Sequence, residues 1–111
     1  MNTVVYTHPE FEREFKRFKK KYHSIVDDLR IFLQSLRQDP YQGVSLGDGL
    51  HKIRLRVSSK GNGKRGGMRI ITYMVNKTSD EMIEITLLYI YDKSEISNLS
   101  DKFLTQLIRQ K

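Results

Sequence analysis

Apolar residues change their spacing along the chain, and the changes mark its elements. Thr3 to Tyr6 is short and β-prone and predicts a first strand. Thr7-His8-Pro9-Glu10 then reads as a helix start, with Thr7 as the cap, Pro9 in the first turn and Glu10 closing a capping box. Phe11, Phe15, Phe18 and Tyr22 follow at helical spacing and define one face for a core. Lys19, Lys20 and Lys21 suit the negative end of that helix. Ser24 predicts the cap of a second helix, whose apolar face is Ile25, Leu29, Phe32, Leu33 and Leu36. Asp39-Pro40 ends it, because the residue before proline is pushed out of the helical region. With so short a connection around His23, the two helices are expected to form an antiparallel hairpin.

Gly43, Gly47 and Gly49 mark a turn-rich linker, and from Leu50 the period becomes two. Ile53, Leu55 and Val57 alternate with Lys52, Arg54 and Arg56, so a strand here sets apolar residues on one face and cations on the other. Met68 to Asn76 and Met82 to Tyr91 are more continuously apolar, as central strands are, with a hairpin turn between them. Ser100 is placed to cap a last helix carrying Phe103, Leu104, Leu107 and Ile108. The expected fold is α+β, a single domain over residues 1–111. A helical hairpin packs on a small, mainly antiparallel sheet, and a C-terminal helix follows. The sheet face carrying Lys52, Arg54, Arg56 and Arg69 is left open, except where Ile71 and Tyr73 share it and need cover from the last helix.

Charge sharpens this picture. The chain's net charge is +7, and Lys52, Arg54, Arg56, Lys60, Lys64, Arg65 and Arg69 fall in one stretch without an acid. Setting those seven aside leaves thirteen basic residues against thirteen acids, so the imbalance is local. A concentrated positive potential attracts phosphates, which implies a polyanionic partner. There is no cysteine, which excludes disulfides, thiolate nucleophiles and Cys-based zinc sites. The three histidines lie far apart in sequence, so no metal site is expected. The glycine-rich stretch 61–67 lacks the Walker spacing of a nucleotide-binding loop. No apolar run is long enough to span a membrane, and no basic-then-apolar leader opens the chain, so a cytoplasmic location is expected.

Three segments carry a family likeness: HKIRLRV from His51 to Val57, GKRGGMRIITY from Gly63 to Tyr73, and IYDKSEISNLS from Ile90 to Ser100. In order and spacing they resemble the RelE/ParE toxin superfamily, and most of all its RelE-like branch labelled HigB. The resemblance spans almost the whole chain. It implies the toxin of a type II toxin–antitoxin pair, which enters the ribosomal decoding site, cuts messenger RNA there and is neutralised by a cognate antitoxin. Carried over by position, the catalytic set is Lys52, Arg54 and Arg69, with Lys93 after the last strand. The family's frequent tyrosine beyond that basic residue has no match here; Leu99 falls near its place, and Tyr91 is the nearby phenol.

The chemistry fits residues of these types. A ribose 2′-OH can attack the adjacent phosphate without metal, cofactor or protein nucleophile. The enzyme must remove the 2′-OH proton, stabilise charge on phosphorus and protonate the 5′-oxygen. Arg54, Arg69 and Arg65 suit the second task, since guanidinium forks match phosphate oxygens. Lys52 and Lys93 are candidates for proton transfer, because neighbouring cations disfavour the charged form of a lysine. Tyr91 can donate a proton or stack on a base, while Arg56, Lys60, Lys64 and Arg65 are candidate RNA contacts. The same cations also suit the solvated face of an edge strand, and Tyr91 a core position. Two other functions stay open: a ParE-like poison of DNA gyrase, and a module that binds nucleic acid without cutting it.

Overall fold

Residues 2–60, 67–77 and 81–110 are described by a computed structural model of the chain. Strand β1 (Asn2–Thr7) leads directly into helix α1 (Pro9–Lys21), and α2 (Ile25–Gln38) follows after a short turn. Next come β2 (Val44–Gly47), β3 (Leu50–Leu55), a 3-10 turn (Ser58–Lys60), β4 (Met68–Lys77), β5 (Met82–Asp92) and α3 (Asp101–Arg109). The strands form one sheet in the order β1-β5-β4-β3-β2, with β1 parallel to β5 and every other pair antiparallel. The architecture is α+β, with the helical hairpin ahead of most of the sheet and a helix at its end.

Two local expectations are corrected. The cap of α1 is His8, not Thr7: the Glu10 N–H donates to His8 Nδ1 at 2.9 Å. Pro9 occupies the first helical position, which makes its predecessor the cap, while Thr7 still pairs with Leu87 in the sheet. The glycine-rich linker also contains a strand, because Asp48-Gly49 closes a two-residue hairpin between β2 and β3. Both turn residues have positive φ, 55° and 83°, the geometry that lets a tight turn follow the twist of its strands. Ser24 stands at the start of α2 but makes no side-chain cap. Its hydroxyl donates to Asp28 and accepts from the Ser59 N–H, tying α2 to the 3-10 turn.

The sheet is covered on both faces. Toward the hairpin, Phe11, Phe18, Ile25, Phe32 and Leu36 pack on Ile53, Leu55, Met68, Ile70, Ile83, Ile85 and Ile90. Toward α3, Leu104 and Leu107 pack on Leu50, Ile71, Leu88, Tyr89 and Tyr91. A bulge in β5 makes this division possible. Ile71 pairs with Tyr89 but Thr72 with Leu87, which leaves Leu88 as an extra residue. Side-chain parity resets there, so Ile83, Ile85 and Leu87 face the hairpin while Tyr89 and Tyr91 face α3. That α3 partly shields the cationic face, as expected, restricts the exposed part to its margin. Among the described residues no helix is long and apolar enough to cross a membrane.

Candidate nucleic-acid interface

Register brings the candidate residues together. Arg54 of β3 lies opposite Arg69 of β4, which in turn lies opposite Tyr91 of β5. Lys52, Ile71 and Tyr89 form the adjacent row. Alternation places Lys52, Arg54, Arg69 and Tyr91 on the α3 side of the sheet. Arg54 and Arg69 face each other in a pair of the non-hydrogen-bonded kind, since the Met74 N–H bonds to the Gly49 carbonyl and bonded pairs alternate from there. Such pairs set Cα atoms about 4.5 Å apart, the closer of the two spacings. Like charges directly opposed destabilise a sheet, and an anion between them removes that cost.

The members differ in burial. Arg54 is exposed, Lys52 is half-buried, Arg69 is 8% exposed and Tyr91 3%. The Arg69 guanidinium is held against the main chain, where it donates to the Met68 carbonyl at 3.2 Å. Gly67 makes room for it: its φ is +57°, and a Cβ there would lie 3.2 Å from Arg69 Nη1. Burial pushes the Tyr91 phenol above its ordinary value, against the opposing pull of Arg69, so it remains protonated at neutral pH. In that state the phenol can give a proton but cannot take one. Tyr89 stacks beside it at 6.4 Å and meets Phe103 of α3 edge-on at 5.0 Å.

Other expected contacts fall elsewhere. Lys93 is exposed, and its N–H donates to the Gly67 carbonyl at 3.0 Å, which extends the β4–β5 pairing toward Arg69. Arg56 is exposed just past β3. Lys60 turns to the hairpin side, where its ammonium lies 3.5 Å from Asp92 and 5.9 Å from the centre of the Tyr22 ring. Lys64 and Arg65 lie outside the described residues. Leu99 packs against the α3-side core, and His51 is buried at the start of β3. Among the described residues no group of three His, Cys, Asp or Glu is placed to hold a metal ion.

The sequence reading missed Asp92. It is 1% exposed, and its carboxylate accepts from the Ser94 N–H and Oγ, at 2.9 and 2.7 Å, and from the Tyr22 hydroxyl at 3.3 Å. Burial alone disfavours its ionised form, but the Ser94 hydrogen bonds and the Lys60 charge outweigh that and hold the carboxyl below its ordinary range. Asp92 thus anchors Lys60, in the middle of the basic stretch, and the turn that carries Lys93. An acid closing the apolar run Leu87 to Tyr91 was the available signal. Beside it, Glu95 accepts two hydrogen bonds from Arg17 of α1, at 2.8 and 3.2 Å, which fastens the same turn to the hairpin. No protein-family model matches the chain, so its likeness to RelE-like toxins rests on the sequence motifs.

Proposed function

We propose that the chain is a RelE-like toxin of a type II toxin–antitoxin pair, a ribosome-dependent endoribonuclease that cuts messenger RNA by 2′-OH attack and so halts translation. The observation that carries this reading is the cross-strand row Arg54–Arg69–Tyr91 with Lys52 beside it on one sheet face. Arg54 and Arg69 bind the scissile phosphate and stabilise the charge that grows on its oxygens. Lys52 takes the 2′-OH proton as the 2′-oxygen bonds to phosphorus. The bond from phosphorus to the 5′-oxygen breaks, and Tyr91 or Lys93 gives that oxygen a proton. The products are a 2′,3′-cyclic phosphate and a free 5′-hydroxyl. The reaction requires neither metal nor cofactor. In this reading the protein acts in the cytoplasm, and its partners are the ribosomal decoding site, messenger RNA and a cognate antitoxin.

Expression of the chain alone tests it. Growth and translation are expected to stop, new messenger RNA ends to map within translated codons, and chelators to leave cutting unaffected. Arg69→Ala separates an enzyme from a binder. An enzyme loses cleavage far more than ribosome association, whereas a pure binder shows only weakened, salt-sensitive association. Undamaged transcripts beside soluble, folded protein would refute the nuclease, and arrested gyrase–DNA complexes would replace it with the gyrase reading.

A further inference from the structure

The two edges of the sheet are built differently. At one edge β2 has four residues, its pairing with β3 slips between Ser45 and Gly47, and Gly43 and Gly47 both have positive φ. Shortness and irregularity of this kind keep an edge from pairing with another chain. At the other edge β1 runs for six residues without a charge, a proline or a break in its register with β5. It is rich in β-branched residues, which favour strands. Parallel pairing turns the main-chain groups of alternate β1 residues toward β5. The Asn2 N–H donates to the Glu81 carbonyl and the His8 N–H to the Leu87 carbonyl, so the even-numbered residues face inward. Thr3, Val5 and Thr7 therefore turn their N–H and C=O groups away from the sheet. Among the described residues no strand pairs with that side. Val5 packs toward the hairpin, and on the opposite face of the same strand Tyr6 is 49% exposed.

We propose that β1 pairs with β1 of a second copy of this chain, antiparallel about a two-fold axis at Val5, and so joins two sheets into one. The strand is self-complementary in that register. Val5 lies opposite Val5 of the second copy, and Thr3 opposite its Thr7, so all three outward residues exchange both their hydrogen bonds. On the other face Val4 meets Tyr6 of the second copy in the closer, non-bonded kind of pair, and symmetry repeats the contact. An aromatic ring opposite a β-branched residue is a stabilising cross-strand combination, and it covers the half-exposed Tyr6. Charge permits this occupant although each chain carries +7. The seven clustered cations fall on β3, on β4 or between them, and the rest of the chain is formally neutral. In the sheet order β5 and β4 separate β1 from β3, so pairing at β1 holds the two cationic rows apart, where salt screens one from the other. A polyanion finds no cation on β1 to bind. The pairing leaves the cationic row outside the interface, and it does not depend on the nuclease reading.

Sedimentation equilibrium of the full chain tests it. The average mass should rise with concentration from that of one chain toward that of two, and amide exchange at Thr3, Val5 and Thr7 should slow over the same range. Val5→Pro removes an N–H that the fold itself does not use, and proline suits an edge strand whose N–H faces outward. It should weaken association about tenfold or more, the scale of a central interface residue. Tyr6→Lys puts a charge on the strand and should act in the same direction. It replaces a half-exposed residue, so it decides the matter if circular dichroism shows that Val5→Pro does not fold. Val44→Lys, at an exposed position of β2, should leave the association unchanged. A mass that stays at one chain up to about 0.5 mM would overturn the proposal. So would a dimer that survives Tyr6→Lys, or one that Val44→Lys dissolves, since either result places the contact on another surface.

Discussion

Toward the hairpin the sheet presents Ile53, Leu55, Met68, Ile70, Ile83, Ile85 and Ile90 to five large apolar side chains of α1 and α2, with the buried polar residues His51 and Thr72 among them and Asp92 at the end of β5. Toward α3 it presents a shorter apolar run around Leu50, Ile71 and Tyr89, and then the opposed cations Arg54 and Arg69. One face places its single charge where hydrogen bonds satisfy it completely. The other leaves like charges opposite each other at the margin of a nine-residue helix. A surface that sets two arginines opposite each other has a use besides stability, since stability alone selects against such a pair. The two faces should therefore respond to substitution in opposite ways.

The largest effect belongs to the hairpin face. Phe18→Ala empties the centre of that core, where Phe18 is fully buried, and should cost about 3–5 kcal/mol in urea unfolding. Cleavage per folded molecule should stay unchanged, since Phe18 touches nothing in the cationic row. Arg54→Gln should do the reverse. The cleavage rate is expected to fall by roughly 10²–10³-fold, as for loss of one donor to a developing oxyanion. The unfolding midpoint should hold or rise slightly, because the substitution removes the repulsion across the Arg54–Arg69 pair. If Arg54→Gln unfolds the protein while activity survives in the folded remainder, the cations are structural and the contrast between faces is wrong.

Most of the elements were legible because they follow periodicity. The aromatic spacing of α1, the alternation of β3 and the serine cap of α3 each express a local rule that tertiary contacts do not override. The hairpin at Asp48-Gly49 was legible too, but three glycines in seven residues read more readily as linker than as strand. The face of Tyr91 was not legible. Strict alternation through β5 would put it with Ile83 and Ile85 against the hairpin, and only the bulge at Leu88 turns it beside Arg69. A run such as Leu87 to Tyr91 is apolar at every other position in either phase, so nothing in it marks where the phase changes. The role of Asp92 was hidden for a similar reason, since its partners Tyr22 and Lys60 come from elements distant in sequence.

Asp92 offers an intermediate test that depends on pH. Its carboxyl titrates below the ordinary range in the folded chain, so the ionised form stabilises the fold once pH exceeds the unfolded value. That contribution is lost as pH falls through the folded value, which places the loss below about pH 4. Asp92→Asn should cost about 1–3 kcal/mol near neutrality, because Lys60 loses its counter-charge and the buried hydrogen bonds are compromised. It should also flatten the acid side of the stability profile, measured by urea unfolding across pH. An unchanged acid limb would mean that Asp92 does not set it. If the chain is the proposed nuclease, activity should fall less than in Arg54→Gln, since Asp92 lies outside the row Arg54–Arg69–Tyr91.

The smallest effect tests whether α3 is a cover or a pillar. The Ser100 hydroxyl accepts the Phe103 N–H at 3.1 Å and so satisfies one of the free donors that open the helix. Ser100→Ala removes that acceptor at a cost of about 1 kcal/mol, and Ser100→Asp should restore it, since a carboxylate caps equally well. If α3 is a cover laid over a sheet whose main core faces the hairpin, the loss stays local. Amide exchange should quicken within α3 and barely change in β4 and β5, and the midpoint should drop by only a few degrees. Were the whole sheet to loosen with the helix, the α3-side core around Leu104 and Leu107 would be as essential as the hairpin side. The division of labour between the two faces would then fail.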